Sequence, residues 1–194
     1  MVLAYVYQNM NNDEYGVPYA IYQASSFLYG HTVVMRFPDT IVLPEKVIMD
    51  LLEFHRMKQS VLTLGVFSTK HPERLGPVQL SDDGKILRIQ DKPKKPCAYN
   101  TWNCVIWEDE FLDVISELVI KSRNTSGKKR ELLIYEAFIK CIEKNLPVYG
   151  MMVETGVCID ISSVKDFIQL WGTKDQTVYQ LEYHVNYGGN YIGL

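Results

Sequence analysis

The amino-acid sequence predicts an α/β fold with a mixed, mainly parallel sheet that is flanked by helices. Segments rich in β-forming residues alternate with segments in which apolar residues recur at helical spacing. Parallel strands need such helical crossovers between them. The length of 194 residues and the hydrophobic share of 47% suit one domain with a sizeable core. We therefore expect a single domain over 1–194, with its core at 1–172 and an irregular tail at 173–194.

The first half of the chain alternates predicted strands and helices. Residues 2–7 are apolar and rich in β-formers, which predicts a strand. Apolar residues at helical spacing predict a helix over 18–29, with Pro18 in its first turn and Gly30 as its stop. The same two patterns predict a strand at 32–37, a helix at 45–56 and a strand at 60–67.

The second half begins with a predicted β-hairpin. Strand-like residues at 78–80 and 85–89 flank a turn that ends in Asp83-Gly84, a pair that favours tight hairpin turns. Periodicity and turn residues then predict a proline-lysine loop at 92–96, a strand at 99–107, a helix at 109–120, a polar loop at 121–130, a helix at 131–145, strands at 147–154 and 157–159, and a helix at 164–172.

Composition argues against several classes of function. The net charge is −3, so no strong basic field is present to hold a nucleic-acid backbone. No apolar run approaches the roughly 18 residues of a membrane-spanning helix. The four cysteines lack metal-ligand spacing and suggest no disulfide framework. We therefore expect a cytoplasmic protein that binds neither nucleic acid nor a membrane.

Two aspartates directly follow predicted strands. Asp39 comes after the strand at 32–37, and Asp160 comes after the strand at 157–159. Ligands of open α/β sheets gather at the carboxyl ends of strands, and Mg²⁺ prefers carboxylate and phosphate oxygens. The two aspartates could therefore hold Mg²⁺ jointly. The alternative is that each one caps the turn or helix that follows it. A third carboxylate, Asp91, stands in an Asp-Lys-Pro sequence that is a weak signal by itself.

The order of several motifs is more specific than any one of them. The motifs are Val33–Thr40, Gly65–Phe67, Leu75–Leu80 with the Asp-Gly hairpin, Asp91-Lys92-Pro93, Asn100–Trp107, and Pro147–Asp160 with the segment 164–167. This order resembles that of the nucleotidylyltransferases that make nucleotide sugars, such as glucose-1-phosphate thymidylyl- and uridylyltransferases and mannose-1-phosphate guanylyltransferases. The resemblance runs from about Gln8 to about Leu170. It implies the Rossmann-like sheet of the nucleotide-diphospho-sugar transferases.

The resemblance also implies roles for individual residues. Asp39 and Asp160 would hold Mg²⁺, which bridges the nucleotide and the sugar phosphate. Lys92 would contact the sugar phosphate as a point charge and complete the catalytic set. The remaining implied contacts are with the two substrates. Gln8 and Gly16 would line the base pocket, Asp91 would accept hydrogen bonds from sugar hydroxyls, Gly76 would let the sugar approach the backbone, and Thr101, Trp102 and Asn103 would lie beside the sugar.

The sequence departs from the family pattern at several positions. The metal aspartate follows Pro38 where the family has glycine, and an indole and an amide at Trp102 and Asn103 replace small residues. The glycine-rich Gly-x-Gly-x-Arg loop that opens the family's fold has no counterpart, and no basic residue precedes Arg36. That loop holds the triphosphate through backbone N–H groups and basic side chains. We therefore expect an N-terminally truncated fold that is incomplete for catalysis.

Three functions remain open at this point. The first joins an NTP of the dTTP or UTP type to a sugar 1-phosphate and releases pyrophosphate. The second is a non-catalytic homologue that binds nucleotide sugars or regulates a partner. The third is a glycosyltransferase-like domain, which would carry an Asp-x-Asp metal motif that no predicted strand end shows here. In each case a truncated sheet would expose an edge, so we expect a homo-oligomer or a partner chain to cover it.

Overall fold

The computed structural model describes residues 3–8, 14–125 and 130–161 of the chain. The predicted helix at 164–172 and the predicted tail lie outside these ranges. Within these ranges the α-helices are α1 (Val17–Leu28), α2 (Val47–Met57), α3 (Asp109–Asn124) and α4 (Ile134–Glu143). The strands within them are β1 (Val33–Met35), β2 (Thr40–Leu43), β3 (Leu62–Ser68), β4 (Val78–Leu80), β5 (Ile86–Ile89), β6 (Asn100–Trp107), β7 (Val148–Val153) and β8 (Val157–Asp160). No helix within the described ranges is both long and apolar enough to cross a bilayer.

The main sheet has the strand order β1-β6-β3-β7. β6 is antiparallel to both of its neighbours, and β3 is parallel to β7. Three of the four strands therefore point in one direction, which confirms the mixed, mainly parallel sheet. Helices pack on both faces of this sheet. The larger apolar cluster includes side chains from α1, α3 and α4, and the smaller one includes Val47 and Leu51 of α2.

Two antiparallel ribbons stand beside the main sheet, β2 with β8 and β4 with β5. The hairpin β4–β5 confirms the turn predicted at Asp83-Gly84. The strand β2 has no counterpart in the sequence-based prediction. It is only four residues long, and its hydrogen-bonding partner β8 is remote in sequence, so no local pattern could identify it.

The prediction of a strand at 2–7 is wrong for the residues that the structure describes. Residues 3–8 carry no strand assignment and pair with no other strand. The side chains of Leu3, Tyr5 and Tyr7 are exposed. The β-forming composition of this segment is real, but a strand also needs a neighbour with which to exchange hydrogen bonds.

The helix α3 is longer than predicted and ends at Asn124, inside the segment expected to be a polar loop. Basic residues in a last helical turn interact favourably with the helix dipole. Arg123 in that turn also donates two hydrogen bonds to the carboxylate of Glu14, at 3.0 and 2.8 Å. The polar composition of residues 121–124 therefore reflects a charged helix end rather than a loop.

A β-bulge interrupts the pairing of β6 with β3. Leu64 pairs with Val105 and Gly65 with Asn103, so Cys104 is the extra residue. Cys104 has a φ of 57°, in the left-handed region that is costly for residues other than glycine. A Cβ on Gly65 would lie 2.8 Å from the carbonyl oxygen of Asn103, so the bulge requires glycine at this position. The bulge bends β6 directly after the residues that line the candidate site.

Candidate functional site

A cavity of about 850 Å³ opens where β1 and β3 end and β6 begins. Six segments contribute side chains to its wall. They are Phe37–Thr40 after β1, the segment Thr69–Gly76 after β3, Asp91 and Lys92 after β5, Thr101–Asn103 in β6, Ile134 of α4, and Cys158 of β8. The cavity therefore lies at the carboxyl ends of the parallel strands, where ligands of α/β sheets bind.

The backbone brings Asp39 and Asp160 next to each other. Thr40 of β2 pairs with Asp160 of β8, and the N–H of Ile161 donates to the carbonyl oxygen of Asp39 at 2.8 Å. The carboxylate of Asp39 is exposed and lines the cavity. Two aspartates that are far apart in sequence thus have neighbouring backbones, with Asp39 directly before β2 and Asp160 at the end of β8.

The exposed carboxylate of Asp39 is an oxygen ligand of the kind that a divalent cation prefers. Mg²⁺ is held in proteins by one or two carboxylates together with waters and substrate phosphates. Among the described side chains, no group of three or more His, Cys, Asp or Glu residues is placed to hold a metal.

Basic side chains face the same cavity. Lys92 is exposed, and its backbone N–H donates to the carbonyl oxygen of Leu75 at 2.8 Å. Its φ of 42° lies in the left-handed region, a strained conformation that clusters at ligand sites. Arg74 and His71 reach the cavity from a 3-10 turn over Pro72–Arg74. Sequence reasoning missed these two residues because a single turn has no periodic pattern.

The indole of Trp102 packs against Gly76. A Cβ on Gly76 would lie 2.3 Å from Nε1 of Trp102, so the absence of a side chain makes room for the indole. The ring also contacts Phe37 and Phe138, with centroid distances of 5.9 and 5.0 Å. It is half-buried and lines the cavity. The space in front of Gly76 that was expected to admit a sugar is therefore partly filled by this aromatic ring.

The polar residues of β6 are largely engaged with the backbone. The side chain of Asn100 accepts from the N–H of Val78 at 2.8 Å and donates to its carbonyl oxygen at 2.9 Å. Asn103 is buried, and its Oδ1 accepts from the N–H of Cys104 at 2.7 Å. Thr101 Oγ1 accepts from the N–H of Gly76 at 3.4 Å. These contacts fix the cavity wall and the start of β4.

Gln8 and Gly16 lie away from this cavity. They line a separate groove of about 620 Å³ between α1 and β1, which shares Phe37 with the main cavity and also includes Arg36. Gly16 has a φ of 115°, and a Cβ there would lie 2.1 Å from the carbonyl oxygen of Leu132. Packing against that backbone is therefore sufficient to require glycine at position 16.

One curated protein is similar in sequence to part of this chain. Over 102 residues the chain is 35% identical to the bifunctional protein GlmU of Methanocaldococcus jannaschii. That match covers 50% of this chain and 24% of the relative. The chain therefore matches about a quarter of that protein's length.

Several solved structures share the fold. A protein named as a glucose-1-phosphate thymidylyltransferase from Bacillus anthracis, in complex with a sucrose, superimposes with a TM-score of 0.69 at 18% identity, over 92% of this chain and 65% of that one. An apo UDP-glucose pyrophosphorylase gives a TM-score of 0.70 at 15% identity, over 91% and 63%. The inositol-1-phosphate CTP transferase of T. maritima gives 0.60 at 14%, over 91% and 64%. The chain spans less than two thirds of each.

The family assignment rests on a match of the sequence itself and not only on these structures of low sequence identity. The model of the nucleotidyl transferase family matches residues 2–175, most of the chain, and the chain therefore belongs to that family.

Proposed function

We propose that this chain carries the sugar-phosphate half of a nucleotidyltransferase site. In the proposed reaction a phosphate oxygen of a sugar 1-phosphate attacks the α-phosphorus of an NTP of the dTTP or UTP type. The bond between the α-phosphorus and the bridging oxygen breaks, and pyrophosphate leaves with that oxygen. The observation that carries the proposal is a cavity that Asp39, Lys92 and Arg74 line, together with the pairing of β2 and β8, which brings the backbone of Asp160 next to that of Asp39.

The attacking group needs no general base in this scheme. A phosphate monoester has a second pKa of about 6, so its oxygens are ionised at neutral pH. Lys92 and Arg74 are placed to bind this dianion, Lys92 as a compact charge and Arg74 through its planar fork. Both cations would orient the phosphate and reduce its repulsion by the incoming triphosphate.

A divalent cation, Mg²⁺ in our proposal, would be held by Asp39 and Asp160. When bound, it would offset the negative charge that accumulates as one phosphate approaches another. Asp91 and Asn103 would face the sugar hydroxyls, and the indole of Trp102 would cover one side of the sugar ring. Gln8 and Gly16 would line the base pocket in the neighbouring groove. The spacing of the four cysteines suggests no disulfide framework, which supports a cytoplasmic location.

Binding without turnover is a second candidate function. It is favoured by the distribution of cations in the described part of the chain. Lys92 and Arg74 lie at the main cavity, whereas Arg36 alone supplies a basic side chain to the groove between α1 and β1. A triphosphate in that groove would meet less compensating charge than the sugar phosphate does.

Pyrophosphate release measures the proposed activity directly. The purified chain is incubated with Mg²⁺, a panel of NTPs and several sugar 1-phosphates, and Mg²⁺-dependent binding of nucleotide sugars is measured by calorimetry in parallel. Asp39→Asn is compared with Asp82→Asn, which changes an exposed carboxylate in the β4–β5 turn. Turnover that Asp39→Asn abolishes and Asp82→Asn retains would support the transferase. Binding without turnover would support the second candidate, and neither binding nor turnover would contradict both.

A further inference from the structure

Two asparagines of β6 differ in how their side-chain amides are used. Asn100 is engaged at both ends, because its Oδ1 accepts from the N–H of Val78 at 2.8 Å and its Nδ2 donates to the carbonyl oxygen of Val78 at 2.9 Å. Within the described part of the chain, Asn103 is engaged at one end. Its Oδ1 accepts from the backbone N–H of Cys104 at 2.7 Å and from the thiol of Cys104 at 3.5 Å. Asn103 therefore keeps the two N–H groups of Nδ2 for another acceptor.

The contact with Cys104 fixes the orientation of the Asn103 amide. Exchanging the oxygen and the nitrogen of this amide would place its N–H groups against the N–H of Cys104, and two donors form no hydrogen bond. Asn103 is 6% exposed and lines the main cavity. Polar side chains that are buried to this degree are normally hydrogen-bonded. The Nδ2 end of the amide is therefore suited to an acceptor that a ligand brings into the cavity.

The β-bulge at Cys104 lets two consecutive residues line the same cavity. In a regular strand, residues 102 and 104 would point to the same face of the sheet. Here Trp102 packs against the larger apolar cluster, whereas Cys104 belongs to the smaller cluster on the other face. Bulges often re-aim side chains in this way beside active sites. Trp102 and Asn103 both reach the cavity as a result.

These two residues give the less exposed part of the cavity wall a distinct chemical character. Trp102 contributes a half-buried indole, with the ring of Phe37 beside it at a centroid distance of 5.9 Å. Asn103 contributes hydrogen-bond donors. The charged side chains that line the same cavity are exposed and lie at its rim: Asp39, Glu73, Arg74, Asp91 and Lys92. A ligand whose phosphate binds at the rim would therefore present its uncharged part to an aromatic ring and an amide N–H2 group.

We propose that Asn103 is a specificity-determining residue, whose Nδ2 donates to an oxygen of the sugar while the indole of Trp102 packs against the sugar ring. This inference rests on the proposed function. The substrate class that follows is the 1-phosphate of a sugar with a hydroxyl or carbonyl oxygen at the position that faces Asn103. An ammonium group at that position has only donors, so it would meet the donors of Nδ2 and lose its hydration without compensation. The site therefore selects oxygen over nitrogen at one position of the sugar.

Exchanging the donor end of Asn103 for an acceptor tests this selection. Asn103→Asp keeps an oxygen for the N–H of Cys104 and replaces Nδ2 with a second oxygen, so the shape of the side chain is retained. Calorimetry compares glucose 1-phosphate with analogues in which each hydroxyl of the sugar in turn is replaced with an amino group. The parent chain should bind one analogue, whose amino group faces Asn103, on the order of tenfold or more weaker than glucose 1-phosphate. Asn103→Asp should reverse this preference, because a carboxylate accepts hydrogen bonds from an ammonium group.

Asn100→Asp is the matched control, since it makes the same exchange in the same strand at a residue outside the cavity lining. Both asparagines are buried, at 8% and 6% exposure, so the cost of burying a carboxylate is similar. Asn100→Asp also deprives the carbonyl oxygen of Val78 of its donor, and it should therefore be the less stable variant in urea unfolding. It should leave the order of the analogues unchanged.

The outcomes separate this inference from the proposed function. The same order of analogues in the parent chain and in Asn103→Asp would overturn the inference, while binding of glucose 1-phosphate by both would still support the proposed function. A parent chain that binds neither glucose 1-phosphate nor any analogue would also overturn the inference. The wider panel of sugar 1-phosphates described above then decides whether the proposed function fails with it.

Nuclear magnetic resonance of the parent chain provides a test that does not depend on the variants folding. The side-chain N–H2 group of Asn103 gives a pair of resonances that can be assigned through its own backbone. Saturating glucose 1-phosphate should shift this pair, whereas inorganic phosphate, which would contact Lys92 and Arg74 at the rim, should leave it nearly unchanged. Equal shifts with the two ligands would contradict a contact between Asn103 and the sugar.

Discussion

Trp102 occupies the space into which a side chain on Gly76 would project, with its Nε1 only 2.3 Å from the position of the missing Cβ. The backbone N–H of Trp102 donates to the carbonyl oxygen of Gly76 at 3.3 Å, so the two residues are held together by both backbone and ring. The glycine and the tryptophan are therefore one structural unit in the cavity wall.

Gly76→Ala should destabilise the fold by about 1–3 kcal/mol, because the added methyl group forces the indole away from Phe37 and Phe138. Urea unfolding of the single variants and of Gly76→Ala/Trp102→Ala gives a double-mutant cycle. In the Trp102→Ala background the cost of the alanine should largely disappear, since the clashing ring is gone. Equal costs in both backgrounds would contradict the packing described for this pair.

Lys92→Ala and Arg74→Ala should each weaken binding of a sugar 1-phosphate by roughly tenfold or more, because each removes a charge-assisted hydrogen bond to the phosphate. Calorimetry at two ionic strengths measures this loss, which should shrink at high salt as screening increases. Arg88→Ala is the matched control, since Arg88 is exposed on β5 and does not line the cavity. An equal loss in the control would indicate a general effect of net charge.

Local sequence patterns were sufficient to predict those helices and turns whose formation depends mainly on their own residues. The Asp83-Gly84 turn specified the hairpin, and Pro18 and Gly30 marked the ends of α1 to within a residue or two. The opposite case is residues 3–8, whose β-forming side chains were read correctly but whose strand partner is not present among the described residues. A strand forms only when two segments exchange backbone hydrogen bonds, and the sequence of one segment does not identify its partner.

The same distinction between local sequence patterns and contacts that are remote in sequence applies to the candidate site. The hypothesis that Asp39 and Asp160 share a cation needed only that each follows a predicted strand, whereas the pairing of β2 with β8, which brings their backbones together, had no local signal. Arg74 could not be predicted as a site residue from the sequence. A basic residue in a single turn is recognised as part of a binding site only when the cavity around it is known. The contact of Gly76 with Trp102 was equally inaccessible, because it depends on how β6 passes the loop before β4.

His55 should be important for stability, because this buried residue joins four segments through one hydrogen-bond network. Its Nδ1 lies 2.8 Å from Thr63 Oγ1, and its Nε2 lies 2.9 Å from Glu108 Oε1, which also accepts from the hydroxyl of Thr32 at 2.8 Å. His55→Ala leaves a cavity and an unpaired hydroxyl, so we expect a loss of about 2–4 kcal/mol in urea unfolding. His71→Ala changes an exposed histidine and should alter stability by less than about 0.5 kcal/mol.

The ion pair between Arg130 and Glu136 should make stability depend on pH in the acid range. The hydrogen bonds from Arg130, together with the N–H of Leu133, lower the pKa of Glu136. A carboxyl group with a depressed folded-state pKa stabilises the fold above its unfolded pKa of about 4.3, and this contribution is lost as the pH falls through the folded pKa.

Urea unfolding between pH 7 and pH 3 measures that contribution. Glu136→Gln should flatten the decline in stability below about pH 4.3, since the residue no longer binds a proton. Glu143→Gln removes a more exposed carboxylate on the same helix, which pairs with Lys140, and should leave most of the decline in place. The same curve for Glu136→Gln and the parent chain would contradict this assignment.

The four cysteines should fall into two classes of reactivity. Burial raises the pKa of the Cys141 thiol to about 12 and also raises the pKa of Cys104, so neither forms a thiolate readily at pH 8. Cys97 and Cys158 are only partly buried, and Cys158 lines the main cavity. Titration with a disulfide reagent at pH 8 should therefore show two thiols that react rapidly and two that react only when the chain unfolds.

Because Cys158 faces the proposed phosphate site, a saturating sugar 1-phosphate should slow one of the two rapid reactions and leave that of Cys97 unchanged. Four rapid reactions in the folded protein would contradict the burial of Cys104 and Cys141. Equal protection of Cys97 and Cys158 would mean that the ligand acts by stabilising the fold rather than by filling this cavity.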